Sequence, residues 1–203
     1  MPNPSRTKRV QIAESTVRGD ATVALSLYGD NDPSVRSSAL LALCELHSLT
    51  KSIITDALMD PSPLVRQRIL QLAARHDLLS AGQLASSLDD PDATVVEAAA
   101  TTLGEYTEDR TELDETILTA LARVSSGHSD ELCRESAVAA LGAIGAEQAL
   151  PAIIAALNDR PNIRRRSIVA LTAFDDPRAQ EAMRSALQDN DRQVRALAEE
   201  LLD

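Results

Sequence analysis

The chain of 203 residues carries a formal charge of −11, and 44% of its side chains are hydrophobic, but it has no Trp, one Phe (Phe174) and two Tyr (Tyr28, Tyr106). A surface this acidic repels phosphate backbones, and so few aromatic rings leave no platform for stacking bases or flat cofactors; general nucleic-acid binding is excluded on both counts. No run approaches the ~20 consecutive apolar residues of a membrane span, and the first nine residues lack the apolar core of a secretory signal, so a soluble, cytoplasmic protein with no membrane partner is expected.

In chain order, residues 1–5 are expected to be unstructured. A capping helix over about 6–17 ends at Gly19-Asp20, so that 1–19 form a tail and cap. From residue 20 the apolar pattern keeps the 3.6-residue period and restarts about every 30 residues. Each copy has a short apolar helix, a turn rich in Asp, Asn and Pro, an aliphatic residue followed by Arg, and a second apolar helix. The predicted pairs are 21–29 with 33–47, 50–59 with 63–76, 80–88 with 92–106, 112–126 with 130–144, 147–158 with 161–173, and 176–188 with 191–202. They divide the chain into repeats at about 20–48, 49–78, 79–108, 109–146, 147–174 and 175–203, with no linker between them, so one domain over 1–203 is expected. A unit of this kind cannot bury its apolar faces alone and must stack on its neighbours.

The aliphatic residues that open the second helices are Val35, Val65, Val95, Cys133, Ile163 and Val194, spaced 30, 30, 38, 30 and 31 residues apart. With this anchor as position 1, positions 5, 8, 9 and 12 fall within about 80° of it and form the buried seam. The next residue is Arg36, Arg66, Arg134, Arg164 and Arg195 in five copies and Val96 in the third. An Arg at this place can reach a turn carboxylate of the neighbouring repeat, so these five form an expected structural ladder whose third rung is missing. Asp, Asn and Ser in the turns suit helix N-caps, and Pro suits the first helical position.

Positions 3 and 7 lie opposite the seam and vary freely. They are Ser37, Leu41, Gln67, Gln71, Glu97, Thr101, Glu135, Ala139, Arg165 and Val169, and stacking is expected to align them as a binding stripe on the concave face, polar and acidic in the middle and basic at Arg165. A solvated face would vary in the same way. The matching partner is a protein or peptide segment with a basic centre and an acidic residue near Arg165.

The 38-residue spacing places extra length between Tyr106 and Asp130, and residues 105–115 hold six acids in eleven residues. This stretch reads as the acid-rich first turn of a longer helix, favoured by the helix dipole, or as a ridge that docks a basic segment. It has no Gly for a calcium loop, so no metal site is expected there. Cys44 and Cys133 stand in separate repeats without a Cys-x-x-Cys motif and read as buried thiols in a reducing compartment. No glycine-rich phosphate loop and no Gly-x-Ser-x-Gly elbow is present, so no catalytic residue and no cofactor are assigned.

The segment Val138-Ala-Ala-Leu-Gly142-Ala-Ile-Gly145, running through Pro151 to Arg164, resembles HEAT repeats, and more narrowly the short Ala/Leu-rich variety named after phycobilisome lyases. The resemblance covers about residues 20–203. It implies an all-α, right-handed solenoid of about six antiparallel helix pairs with an N-terminal capping helix, the second helix of each pair lining the concave face. It also implies two roles: a non-catalytic adaptor, or an enzyme or enzyme subunit of the bilin-lyase or deoxyhypusine-hydroxylase kind. The hydroxylase holds iron through His-Glu dipeptides, whereas His47, His76 and His128 are followed by Ser48, Asp77 and Ser129. The adaptor is the reading adopted.

Overall fold

The computed structural model describes residues 3–76, 78–106 and 115–202, and every regular element among them is helical. The chain falls into two compact units, residues 1–78 and 79–203. The first unit contains α1 (Pro4–Val17), α2 (Thr22–Leu27) paired with α3 (Pro33–Glu45), and α4 (Lys51–Leu58) paired with α5 (Pro63–His76). The second contains four pairs: α6 (Ala81–Ser86) with α7 (Ala93–Glu105), α8 (Glu115–Gly127) with α9 (Glu131–Ile144), α10 (Leu150–Ala155) with α11 (Pro161–Leu171), and α12 (Pro177–Ser185) with α13 (Arg192–Leu202). Short 3-10 turns lengthen α6, α10 and α12 at their C-terminal ends.

The helix starts follow from turn chemistry. The carboxylates of Asp32, Asp92, Asp130 and Asp176 accept the backbone N–H two residues on, at 2.7–3.0 Å. Ser80 and Gln83 form a reciprocal capping box at α6. Each such cap satisfies a donor that the helix cannot and stabilises by about 1 kcal/mol. Pro33, Pro161 and Pro177 sit in the first turn, where no N–H is needed.

All six anchors are at most 1% exposed. Leu43, Leu103, Leu141 and Leu171, at position 9, are fully buried behind them, while Leu46 and Ile144 at position 12 are only half-buried. Among the described residues no buried side-chain polar atom lacks a partner. No helix among them is long and apolar enough to cross a membrane.

Two glycines set how closely neighbouring second helices approach in the second unit. A Cβ on Gly104 would lie 2.9 Å from Ala140 Cα, and one on Gly142 would lie 2.5 Å from Ala170 Cβ. Both glycines occupy position 10 and face an Ala at position 8 of the following helix. Any larger side chain there would push the helices apart.

Candidate functional site

The turns build a repeated polar joint. Arg36 donates through Nε and Nη2 to both oxygens of Asp60, at 2.7 and 2.6 Å, and through Nη1 to the Asp30 carbonyl at 2.8 Å. Arg134 holds Asp159 in the same two-pronged way at 2.7 and 3.0 Å, with Nη1 on the His128 carbonyl at 2.8 Å. Arg164 grips Asp189 at 2.8 and 2.7 Å, with Nη1 on the Asp159 carbonyl at 2.7 Å. Arg66 sends Nη1 to the Asp60 carbonyl, and Arg195 sends Nη1 to that of Asp189. Lys8 of α1 pairs with Asp30 and thereby supplies the cation that an Arg supplies in later joints. Val96 is fully buried and makes no such bond.

Each turn Asp also serves its own repeat. Asp30, Asp60, Asp90 and Asp189 accept the N–H two residues on at 2.8–2.9 Å, and Asp159 accepts that of Arg160. Hydrogen bonds from Arg134 and Arg164 hold the Asp159 and Asp189 carboxyls below the usual carboxylate range. At Asp60 burial pushes the pKa upward, but the Arg36 fork and the Ser62 N–H outweigh it and the net shift is downward. Asp32, bonded by Ser5 and Ser34, is lowered to about 2. These groups are held by one another and have a structural task.

The residues expected on a binding stripe separate in the structure. In the first unit Ser37 is buried and its hydroxyl accepts Arg68 Nε at 3.1 Å. Leu41 is half-buried and lines a shallow apolar groove beside α1, with Ala13 and Val17 on its opposite wall. Gln67 is half-buried, and the exposed Gln71 accepts Arg68 Nη1 at 3.4 Å.

In the second unit Glu97, Thr101, Glu135 and Ala139 come together as walls of a groove of about 400 Å³ across α7 and α9. Its remaining lining includes Glu105, Arg166 and a floor of Gly104, Ala140 and Ala143. Val169 is 44% exposed and lines an adjoining groove of about 250 Å³ with Gly142, Ala170 and Ala173. Arg165 lines neither groove. Its guanidinium stands 4.0 Å from Asp191, and the cation of the face is instead its neighbour Arg166.

The displacement has a geometric cause. The open arc of each second helix is centred near positions 7 and 11, at about 240–280° from the anchor, because position 3 and position 10 are partly covered by the neighbouring second helix. Positions 4 and 11 therefore border the groove, and they carry Arg166 and Glu105, which the periodicity argument left out. Arg68 and Arg166 share position 4. Each reaches back to position 3 of the preceding second helix: Arg68 to Ser37, and Arg166 to Glu135 at 3.2 Å. Asn162 binds the second Glu135 oxygen at 3.0 Å.

Both cysteines are free and buried. Burial raises the Cys44 pKa and raises that of Cys133 to about 11, and the Cys133 thiol donates to the Ala93 carbonyl at 3.1 Å. Among the described residues no group of three or more His, Cys, Asp or Glu is placed to hold a metal ion. Most of the acid-rich stretch, residues 107–114, lies outside the described residues.

Residues 115–203 match the family model of HEAT repeats. No curated protein matches the chain in sequence. Among solved structures, a designed armadillo repeat protein in complex with the peptide (KR)4 is similar at 17% identity, with a TM-score of 0.66 over 90% of this chain and 97% of that one. The complex of CpcE and CpcF of phycocyanin lyase from Nostoc sp. PCC7120 is similar at 22% identity and TM-score 0.59, over 88% and 74%. Human deoxyhypusine hydroxylase in complex with glycerol is similar at 21% identity and TM-score 0.51, over 100% and 80%. At these identities the likeness is one of fold.

Proposed function

We propose that this chain, an all-α repeat protein of the armadillo and HEAT-like kind, is a non-catalytic adaptor whose groove across α7 and α9 holds an extended basic segment of a protein partner. The observation that carries the reading is the composition of that groove: three carboxylates, Glu97, Glu105 and Glu135, stand over a floor of Gly104, Ala140 and Ala143. Long basic side chains lay their methylene stems on such a floor and place their heads on the carboxylates. Small residues also leave room for a peptide backbone to approach. The armadillo neighbour, which carries a peptide of alternating basic residues, supports the same class of ligand.

The net charge of −11 favours encounter with a basic partner and opposes nucleic acid. The buried free thiols suit a reducing, cytoplasmic setting. The enzyme reading draws on the lyase and hydroxylase likenesses, which are likenesses of fold alone, so the adaptor reading stands ahead of it.

The test is a fluorescence-anisotropy titration of a labelled octapeptide of alternating Lys and Arg. Binding should weaken about tenfold on Glu97→Lys, since a like charge then faces each basic side chain. Added salt should weaken wild-type binding as well. An affinity unmoved by Glu97→Lys would place the ligand elsewhere.

A further inference from the structure

Among the described residues Arg166 is the one positively charged residue lining the α7–α9 groove, and it is bound to one of the groove's own carboxylates. Its Nη2 lies 3.2 Å from Glu135 Oε1, and Asn162 Nδ2 lies 3.0 Å from Oε2, so both oxygens of Glu135 are occupied. The Arg166 side chain is 45% exposed and makes this single ion pair among the described residues, whereas the Arg134 and Arg164 forks are 13% and 15% exposed and each hold two carboxylate oxygens. Arg166 is therefore the loosely held member of its class. Among the described residues Glu97 and Glu105 make no ion pair, whereas Glu135 is covered by Arg166.

We infer that Arg166 is an intramolecular stand-in for a basic ligand side chain: it holds Glu135 until a Lys or Arg of the partner displaces it. This rests on the basic-peptide reading of the groove. The physics is a competition between like charges for one carboxylate. A ligand cation reaching Glu135 must break the Arg166 contact and then lies beside the displaced guanidinium, so the resident cation weakens binding at that end of the groove. The arrangement also sets polarity along the site. Cations are favoured at Glu97 and Glu105, and a ligand carboxylate is favoured where Arg166 swings clear. The Arg at the same position in the first unit also folds back, since Arg68 lies on Ser37 and Gln71.

The experiment titrates the Lys-Arg octapeptide against wild type, Arg166→Ala, Arg166→Gln and Arg165→Ala. Arg165 is the internal control: its loss changes net charge by the same amount but removes nothing from the groove. Arg166→Ala and Arg166→Gln should each bind about three- to fivefold more tightly than wild type, the scale of one exposed ion pair, and Arg165→Ala should change little. Equal tightening by Arg165→Ala would reduce the effect to net charge and overturn the inference. Equal affinity across all four proteins would overturn it too, while leaving the groove as the peptide site. Absence of binding by every protein would remove both the stand-in role and the proposed function.

Discussion

Val96 and His128 occupy the two ends of the same missing rung. Val96 stands where the other five repeats carry an Arg, and His128 stands where the following turn would carry the Asp that Arg36, Arg134 and Arg164 grip in theirs. His128 still serves its own turn, because Nδ1 accepts the Asp130 N–H at 3.1 Å in place of a carboxylate oxygen. Donor and acceptor are thus absent together, and neither an uncompensated guanidinium nor an uncompensated carboxylate is left in this joint. Close packing of Gly104 on Ala140 joins α7 to α9 there, with the Cys133 thiol donating to the Ala93 carbonyl beside it.

Where the rung is present it should be measurable by a double-mutant cycle. The variants Arg134→Gln, Asp159→Asn and their combination should give a coupling of about 1–2 kcal/mol in urea denaturation, as expected for a two-pronged, charge-assisted pair. The same cycle on Arg160 and Glu131, whose side chains are 69% and 41% exposed, should give less than about 0.5 kcal/mol. Equal couplings would show that burial of the fork contributes nothing.

The rungs also set the acid limit of the fold. Asp60, Asp159 and Asp189 titrate below the value of about 3.9 that they take in the unfolded chain. A lowered native pKa contributes stability that is complete above about pH 4 to 5 and disappears as the pH falls through the native values. Stability measured by urea denaturation should therefore drop between pH 5 and pH 2.5. Arg164→Gln should lower stability at pH 7 but flatten this drop. A parallel loss in wild type and variant would assign the acid sensitivity to other carboxyls.

Two substitutions at backbone-critical positions should move stability in opposite directions. Gly142→Ala sets a methyl 2.5 Å from Ala170 Cβ and should cost about 1–3 kcal/mol by forcing α9 and α11 apart. His47, by contrast, ends α3 at φ 51°, the place that Gly145 fills at φ 68° after α9. His47→Gly relieves a left-handed side-chain residue and should stabilise by about 0.5–1 kcal/mol. Circular dichroism during urea titration reads both changes. A stable Gly142→Ala protein would mean that the helix spacing is slack.

The helices were legible because their signals are local. Anchors such as Val35 and Ile163, caps such as Asp32 and Asp92, and the 30-residue restart are all properties of short stretches. The groove was legible only in part, because its position depends on how much of each second helix its neighbour covers. Glu97, Thr101, Glu135 and Ala139 meet in one groove, whereas Ser37 is buried and Arg165 turns to Asp191. Arg166 could have been found by comparing position 4 across repeats, where Arg68 and Arg166 stand out against Ser38, Ala98 and Ser136. The contact of Arg166 with Glu135 spans 31 residues and leaves no mark in any local pattern.

Because Asp60, Asp159 and Asp189 each close their own turn and receive the Arg of the repeat before, these joints act as a matching rule for repeat order. An Arg-bearing repeat can be followed by any repeat whose turn begins with Asp, so copies can be duplicated or lost within such a run and every charge still finds its mate. The pair Val96 and His128 obeys a different rule and matches only itself. A deletion that set an Arg-bearing repeat before His128, or the Val96 repeat before an Asp turn, would strand one ion of a joint. The sequence of repeats is thereby keyed at this single place and free to vary elsewhere, a constraint on how such a chain can be lengthened by recombination or design.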